Sequence, residues 1–507
     1  MPRKMLGEHM ISKLYNNLLE KQDVRKSLIE LRQLIKDNNN KRAFLYELDG
    51  DFTTLEALLQ DEDPKVRKNV ALIMGELEIE DFKYLLFEAY KKEEKLFVKS
   101  DYLKALSHFD CSELSEVLQS RLLTLSSEPV EENNKKHIDE ELRLLTQLTL
   151  KLEKPEKHTF NGYKVLSDMI LLTNREHQEV TLNQITKGQA KAFGAGVMVR
   201  TDNLKEVLRI RTYSDLLFKL PSVSTVTKDP QEAAKTLFNG GLLDFLLTRH
   251  TGYPPFYFRI EVKSKMELDK RSTFTKKLAS ELERISNRQL VNATSSYEFE
   301  IRLIENKEGT FNVLLKLFTI EDNRFSYRKK ALAVSIAPST AALVVELSKP
   351  YLKEDAQVLD PFCGVGTMLI ERQKACKGKV LYGVDIYGEA IDCAIENANW
   401  ASTDIYFITR DFFDFSHRYL FDEIITNMPT AIGRKTQGEI VELYALFFQK
   451  AYTMMEDNAT MILYSRDKDL VERGIRSNDA YKLEKEYMLS YKEEAYVFII
   501  KVNENNI

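Results

Sequence analysis

The chain has 507 residues, 43% hydrophobic and 30% charged, with a formal net charge of −5. One compact core rarely serves so long a chain, so two to four domains are expected. No run of about 18 apolar residues is present, which argues against a membrane-spanning helix. The first ten residues lack the apolar core of a secretory signal. Cys111, Cys363, Cys376 and Cys393 form no CxxC pair and have no histidine pattern beside them. Neither a zinc site nor a disulfide framework is indicated, no metal is expected, and a reducing cytoplasm fits. The charge is uneven. Residues 1–160 carry 26 Lys+Arg against 31 Asp+Glu, residues 161–350 carry 29 against 21, and residues 351–507 carry 18 against 26. Only the middle third has the electrostatics to hold a polyanion.

Residues 1–155 show helical periodicity throughout, as in Val66, Val70, Ile73 and Met74. Val24, Val66, Val98 and Ile138 recur near helix starts, spaced 42, 32 and 40 residues apart. Asp63 suits a helix cap and Pro64 a first turn. The pattern resembles a HEAT-type array, which presents a surface to a partner. Pro155 marks a boundary.

From 158 to 225 strands and helices alternate, which predicts a small ferredoxin-like α+β domain. Its strands are expected at Val165–Leu172, Phe193–Arg200 and Asp215–Leu220. Residues 226–322 read α-α-β-α-β-β. The strand Phe256–Lys263 precedes a helix over Ser272–Asn287, and Tyr297–Ile304 and Phe311–Phe318 close the unit. The helix carries Lys276, Lys277, Arg284 and Arg288 opposite Phe274, Leu278 and Leu282. This layout fits an RNA-binding module. Residues 323–353 form a linker with Arg324-Phe-Ser-Tyr-Arg328, followed by a helix that begins near Pro338.

Residues 354–507 again alternate, with strands expected at Gln357–Asp360, Val380–Ile386, Ile405–Asp411, Glu423–Asn427, Ala459–Ser465, Leu483–Tyr491 and Ala495–Val502. Helices fall at 367–377, 388–401, 440–456 and 467–476. Such alternation gives an α/β fold with a mostly parallel sheet, and ligands bind at the carboxyl ends of its strands. Asp360 ends the first strand and Gly364 and Gly366 follow it, where a backbone turn can approach a ligand closely. Asp385 ends the second strand, where an acid can accept two ribose hydroxyls. Asp411 ends the third and could take the amino edge of an adenine. Asn427-Met-Pro429 ends the fourth. Leu369 stands where a dinucleotide fingerprint needs its third glycine, and no P-loop lysine follows. A nucleoside without a pyrophosphate suits the turn better. Cys363, inside this turn, is placed against the cofactor and not where a base-attacking nucleophile would be needed.

Asp360-Pro-Phe-Cys-Gly-Val-Gly-Thr367, Gly383-Val-Asp385 and Asn427-Met-Pro429 resemble a Rossmann-type methyltransferase. With the module and linker before them, residues 160–507 resemble the THUMP-containing RNA guanine-N2 methyltransferases, which act mainly on tRNA. The helical region 1–155 lies outside that family pattern. The resemblance implies S-adenosylmethionine as cofactor, with Asp360, Gly364 and Gly366 around its methionine part, Asp385 on its ribose and Asp411 on its adenine. Phe362, Thr367, Ile386, Phe412 and Asn427 complete the implied cofactor site. Asn427 and the Pro429 carbonyl would accept hydrogen bonds from the target amine. Lys276, Lys277, Arg284, Arg324, Arg328 and Arg434 would hold RNA. One departure stands out: Thr430 occupies the position where the family carries an aromatic residue to stack on the flipped base. Phe412 or Phe413 is the alternative stacking residue. A base-amine methyltransferase of rRNA or DNA, and a non-catalytic RNA-binding or assembly protein, are the rival readings.

Overall fold

The computed structural model describes residues 3–127, 133–152, 157–293, 295–431 and 436–503. The chain divides into two compact units. The first comprises Met1–Lys157, Pro254–Arg259 and Leu268–Glu298. Its helices include Val24–Leu34, Pro64–Leu77, Leu96–Leu106 and Lys135–Leu152. Leu28, Leu31, Phe44, Val70, Ile73, Leu86, Val98 and Leu145 fill their shared core. The Asp63 carboxylate accepts from the Lys65 amide and Pro64 opens the helix, so the sequence fixes this start twice over. A Cβ on Gly75 would lie 2.6 Å from the Ala105 Cα, so the helices Pro64–Leu77 and Leu96–Leu106 cross at a contact only glycine permits. The helix Leu268–Ile285 belongs to this same unit. It buries Phe274, Leu278 and Leu282 and exposes Lys276 and Lys277.

The second unit comprises His158–Tyr253, Ile260–Glu267 and Phe299–Ile507. Its first sheet orders the strands Gln189–Phe193, Gly196–Thr201, Ser167–Thr173, Tyr213–Phe218, Phe311–Leu317 and Phe299–Glu305. Two expectations differ here. The single strand expected over Phe193–Arg200 is the bend and second arm of a hairpin, because Gly194 and Gly196 break the apolar run. The Gly196 Cα faces the Leu171 carbonyl so closely that a Cβ would sit 2.0 Å from that oxygen. The strands on either side of residue 225 also join one sheet: Leu315 pairs with Phe218, and the short strand Thr225–Val226 pairs with Phe311–Leu317.

The second sheet contains β1 (Gln357–Asp360), β2 (Val380–Asp385), β3 (Tyr406–Thr409), β4 (Phe421–Asn427), β5 (Met455–Ser465), β6 (Tyr481–Ser490) and β7 (Ala495–Val502). Their order is β3-β2-β1-β4-β5-β7-β6. β1 to β5 run parallel, and β7 is antiparallel to both neighbours. Chain order reverses between β1 and β4, so the crevice between them opens at the carboxyl ends of the strands. The helix expected at 440–456 is Gln437–Tyr452 instead. Thr436 and Glu439 form a capping box that starts it three residues early.

The helix Thr367–Ala375 begins at Gly366, whose φ of +77° suits glycine. Two adjacent side chains anchor it. Arg372, fully buried, donates from Nε and Nη2 to the Glu423 carboxylate of β4 at 2.7 and 2.8 Å, and also to the Cys376 and Lys353 carbonyls. Glu371 accepts from Arg211 and Tyr327. Removing one partner of a buried pair strands the other charge. Arg372→Met is therefore expected to cost about 3–5 kcal/mol in urea unfolding. Adding Glu423→Leu should return most of that loss, because two apolar groups then replace the pair.

Candidate functional site

The carboxyl ends of β1, β2 and β4 converge with the loop after β3. Asp360 is completely buried. Its Oδ1 accepts from the Thr426 hydroxyl at 2.6 Å and from the Phe362 amide at 3.1 Å. Its Oδ2 is buried and, among the described residues, has no hydrogen-bond partner. Burial pushes the Asp360 carboxyl up to about 7, with Asp385 adding to the shift, against the hydrogen bonds from Thr426 and Phe362. The Thr367 hydroxyl, in the first turn of the next helix, is likewise buried without a partner among the described residues. A buried unpartnered polar atom costs about 1–3 kcal/mol, so two of them beside one glycine turn point to a ligand that satisfies them.

Asp385 shapes the turn. Its Oδ2 accepts from the Gly364 amide at 2.9 Å and its Oδ1 from the Tyr387 amide at 3.0 Å. Gly364 has φ +51° and open space where a Cβ would stand. A Cβ on Gly383 would lie 2.6 Å from the Phe407 ring and 2.9 Å from the Cys363 sulfur, so the wall behind the turn is closed. Ile386 and Tyr387 are exposed after β2. Asp411 follows β3 and accepts from the Phe413 amide at 3.0 Å. Asn427 and Pro429 are half-buried at the end of β4, and the Met428 amide between them donates to the Tyr464 carbonyl of β5 at 2.9 Å. That bond continues the sheet past the strand end and holds the Asn-Met-Pro segment to it. Thr430 follows, also half-buried.

The sequence therefore brings Asp360, Phe362, Gly364, Gly366, Thr367, Asp385, Ile386 and Asn427 to one crevice, with Asp411 and Phe412 on the adjoining loop. Phe412 departs from its expected role as a stacking surface. Its ring is buried against Phe362, Phe413 and Phe447, 5.7–6.0 Å between centroids, and cannot slide over a base. One basic residue is also corrected. Arg324 is buried: it donates to both Asp322 oxygens and to the Ile210 and Tyr213 carbonyls, and stacks 3.6 Å from the Tyr213 ring centroid. Every face of that guanidinium is committed internally, so it does not meet a phosphate. Arg328 is half-buried and donates from Nη2 to the Ile336 carbonyl. Arg284 is exposed and pairs with Glu281, while Arg434 lies outside the described residues.

Sequence reasoning missed three supports. Thr426 orients Asp360 from inside β4. Asn397, completely buried, bonds the Lys330 amide and carbonyl and the Val365 carbonyl, tying the linker to the glycine turn. Arg211 grips the helix after that turn through Glu371. A polar residue directly after Ile424-Ile425, one place before the strand's end, was the available signal for Thr426; Asn397 and Arg211 carried none.

Residues 326–493 match the family model described as UPF0020, RMKL-like, methyltransferase domain. Over 131 residues the chain is 31% identical to a tRNA (guanine(10)-N2)-dimethyltransferase of Methanothermobacter thermautotrophicus, covering 25% of this chain and 38% of that protein. The chain thus spans well under half the length of that relative. Its fold resembles TrmN from Thermus thermophilus, with TM-score 0.50 and 17% identity over 66% of this chain and 99% of that one. It also resembles SMU.472, a methyltransferase solved with SAH, with TM-score 0.50 and 14% identity over 68% and 99% of the two chains.

Cys363 sits inside the turn, buried, and burial together with Asp360 and Asp385 pushes its thiol well above the usual cysteine range. Thiol chemistry needs the thiolate. In native protein treated with iodoacetamide at pH 8, Cys393, which is half-buried, should alkylate and Cys363 should not, as read by peptide mass spectrometry.

Proposed function

We propose that this chain, whose residues 326–493 form a methyltransferase domain of the UPF0020, RMKL-like family, transfers a methyl group from S-adenosylmethionine to the exocyclic N2 amine of a guanosine in tRNA. The observation that carries the cofactor reading is the Asp360 carboxylate, buried beside a glycine turn with one oxygen unpartnered among the described residues. A cationic ammonium at the methionine end of the donor satisfies that oxygen. Gly364 and Gly366 leave room for the donor's backbone-like part, Asp385 takes the ribose hydroxyls, and Asp411 and the Phe412 amide take the adenine edge. Ile386 flanks the adenine. The donor supplies an electrophilic methyl on a sulfonium.

The chain's own residues do the rest by positioning. An arylamine is a weak nucleophile because its lone pair is delocalised into the ring. Acceptors at Asn427 Oδ1 and the Pro429 carbonyl take the two N–H bonds and turn the lone pair toward the methyl. Catalysis is then alignment for an in-line transfer, with the β4–β5 bond at Met428 holding both acceptors in register. No base is needed before the transfer, because the amine loses its proton afterwards to water.

The rest of the chain supports the same reading. The exposed Lys276 and Lys277 serve a THUMP-like RNA grip, and the HEAT-like helices of the first unit receive a protein partner. With Phe412 buried and Thr430 unable to stack, the half-buried Phe413 is the residue of the expected pair left to lie on the base.

Two measurements test this. Calorimetry should find S-adenosylmethionine bound on the order of fivefold more tightly at pH 7.5 than at pH 6, because Asp360 ionises across that window and the ammonium binds only its charged form. Asp360→Asn should bind weakly at both pH values. Nucleoside mass spectrometry of tRNA from a deletion strain should show one N2-methylguanosine species lost. In vitro, Asn427→Ala should lower kcat about 100-fold. Unchanged N2-methylguanosine in the deletion strain would exclude tRNA guanosine as the substrate.

A further inference from the structure

The second unit contains a junction that neither the cofactor nor the amine touches. Arg211 lies just before the strand Tyr213–Phe218 of the first sheet. Its Nε and Nη2 donate to the two Glu371 oxygens, each at 2.7 Å. The Tyr327 hydroxyl, from the linker, donates to the same carboxylate at 2.6 Å. Glu371 and Tyr327 are both buried, and the Arg211 guanidinium lies 4.7 Å from the Phe325 ring centroid. Glu371 is four residues into the helix that starts at the glycine turn.

A second attachment lies elsewhere on the same sheet. His177 Nε2 bonds the Met488 carbonyl at 2.9 Å and Asn174 Nδ2 donates to the Leu489 carbonyl at 2.8 Å, both on the edge strand β6. Val180, in the helix between them and the first sheet, packs against the core that holds Leu343, Tyr464 and Leu489. A single linker would leave a hinge. Two attachments, one on the helix behind β1 and one on the far edge, remove it.

We propose that Arg211 and Tyr327, acting through Glu371, are positioning residues that lock the first sheet to the transfer crevice as one rigid body and thereby set which nucleotide reaches Asn427. This rests on the proposed RNA methyl transfer. An RNA held by the first sheet is then presented at a fixed distance, and a misplacement of about 1 Å is enough to cost on the order of 100-fold in rate. The junction acts on geometry and makes no contact of its own with donor or base.

The test uses the full-length protein with Arg211→Gln, Tyr327→Phe and the double variant Arg211→Gln with Glu371→Gln. Spin labels on introduced keto amino acids at Lys191 and Glu456, both exposed, report the distance between the two sheets. In the wild type this distance should be single and narrow, and in Arg211→Gln broad. S-adenosylmethionine and bulk tRNA affinities should stay within about twofold, while single-turnover methylation at saturating tRNA falls about tenfold and methyl groups spread to neighbouring guanosines. Tyr327→Phe, the milder variant, should lose about threefold. The double variant should lose no more rate than Arg211→Gln alone, because both act through one carboxylate. An unchanged rate and nucleotide pattern, or an equal loss of cofactor affinity, overturns the positioning role. A narrow distance in Arg211→Gln overturns the rigid junction. A wild type that methylates no RNA overturns the proposed function and the nucleotide-selecting role with it, while the label distances still decide the junction.

Discussion

Two opposite charges, adjacent in sequence and both withdrawn from water, govern the second unit. Glu371 faces outward from the helix to Arg211 and Tyr327, and Arg372 faces inward to Glu423 of β4. Taking four such charges out of solvent is expensive, and only close, bidentate geometry offsets the cost. That requirement has a structural effect. The helix cannot slide along the sheet or rotate on its axis without breaking one set of bonds, so the glycine turn at its start keeps one shape. The turn in turn presents the buried oxygen of Asp360. Placement of that oxygen is thus decided by residues ten or more positions away.

The Asp360 environment has a thermodynamic side. A carboxyl raised by burial favours its protonated form in the folded chain, so the folded state holds a proton that the unfolded state has released. Stability therefore declines as pH climbs from the ordinary carboxylate value of 3.8 toward about 7. A cation seated there, as the proposed donor would place one, would offset that cost, which is the general pattern for preorganised ligand sites.

Much of the second sheet was legible in the sequence. β1, β7 and the helix Gly388–Ala401 fall at the expected residues, because buried strands leave apolar runs with sharp ends. The acids after β1 and β2 were legible for the same reason, as polar residues stopping apolar runs. What stayed hidden was non-local. Nothing near Arg324 in sequence says that its guanidinium will lie on Tyr213, more than a hundred positions earlier, and a basic residue in a linker looks solvent-facing until its partner is seen. The grouping of Leu268–Glu298 with the N-terminal helices was equally hidden, since the basic stripe on that helix says which side is wet but not what the dry side meets. The hairpin at Gly194–Gly196 was the reverse case: its signal was local, but an apolar flank on each side made two strands look like one.

The buried thiol in the glycine turn also bears on chemical durability. A sulfonium methylates soft nucleophiles readily, and Cys363 belongs to the turn that the proposed donor would occupy. Ionised, it would consume the donor and block the crevice with a thioether. The apolar surroundings and the two neighbouring carboxylates make that ionisation unfavourable. The same burial that leaves an Asp360 oxygen without a partner among the described residues thus holds that thiol in its neutral form.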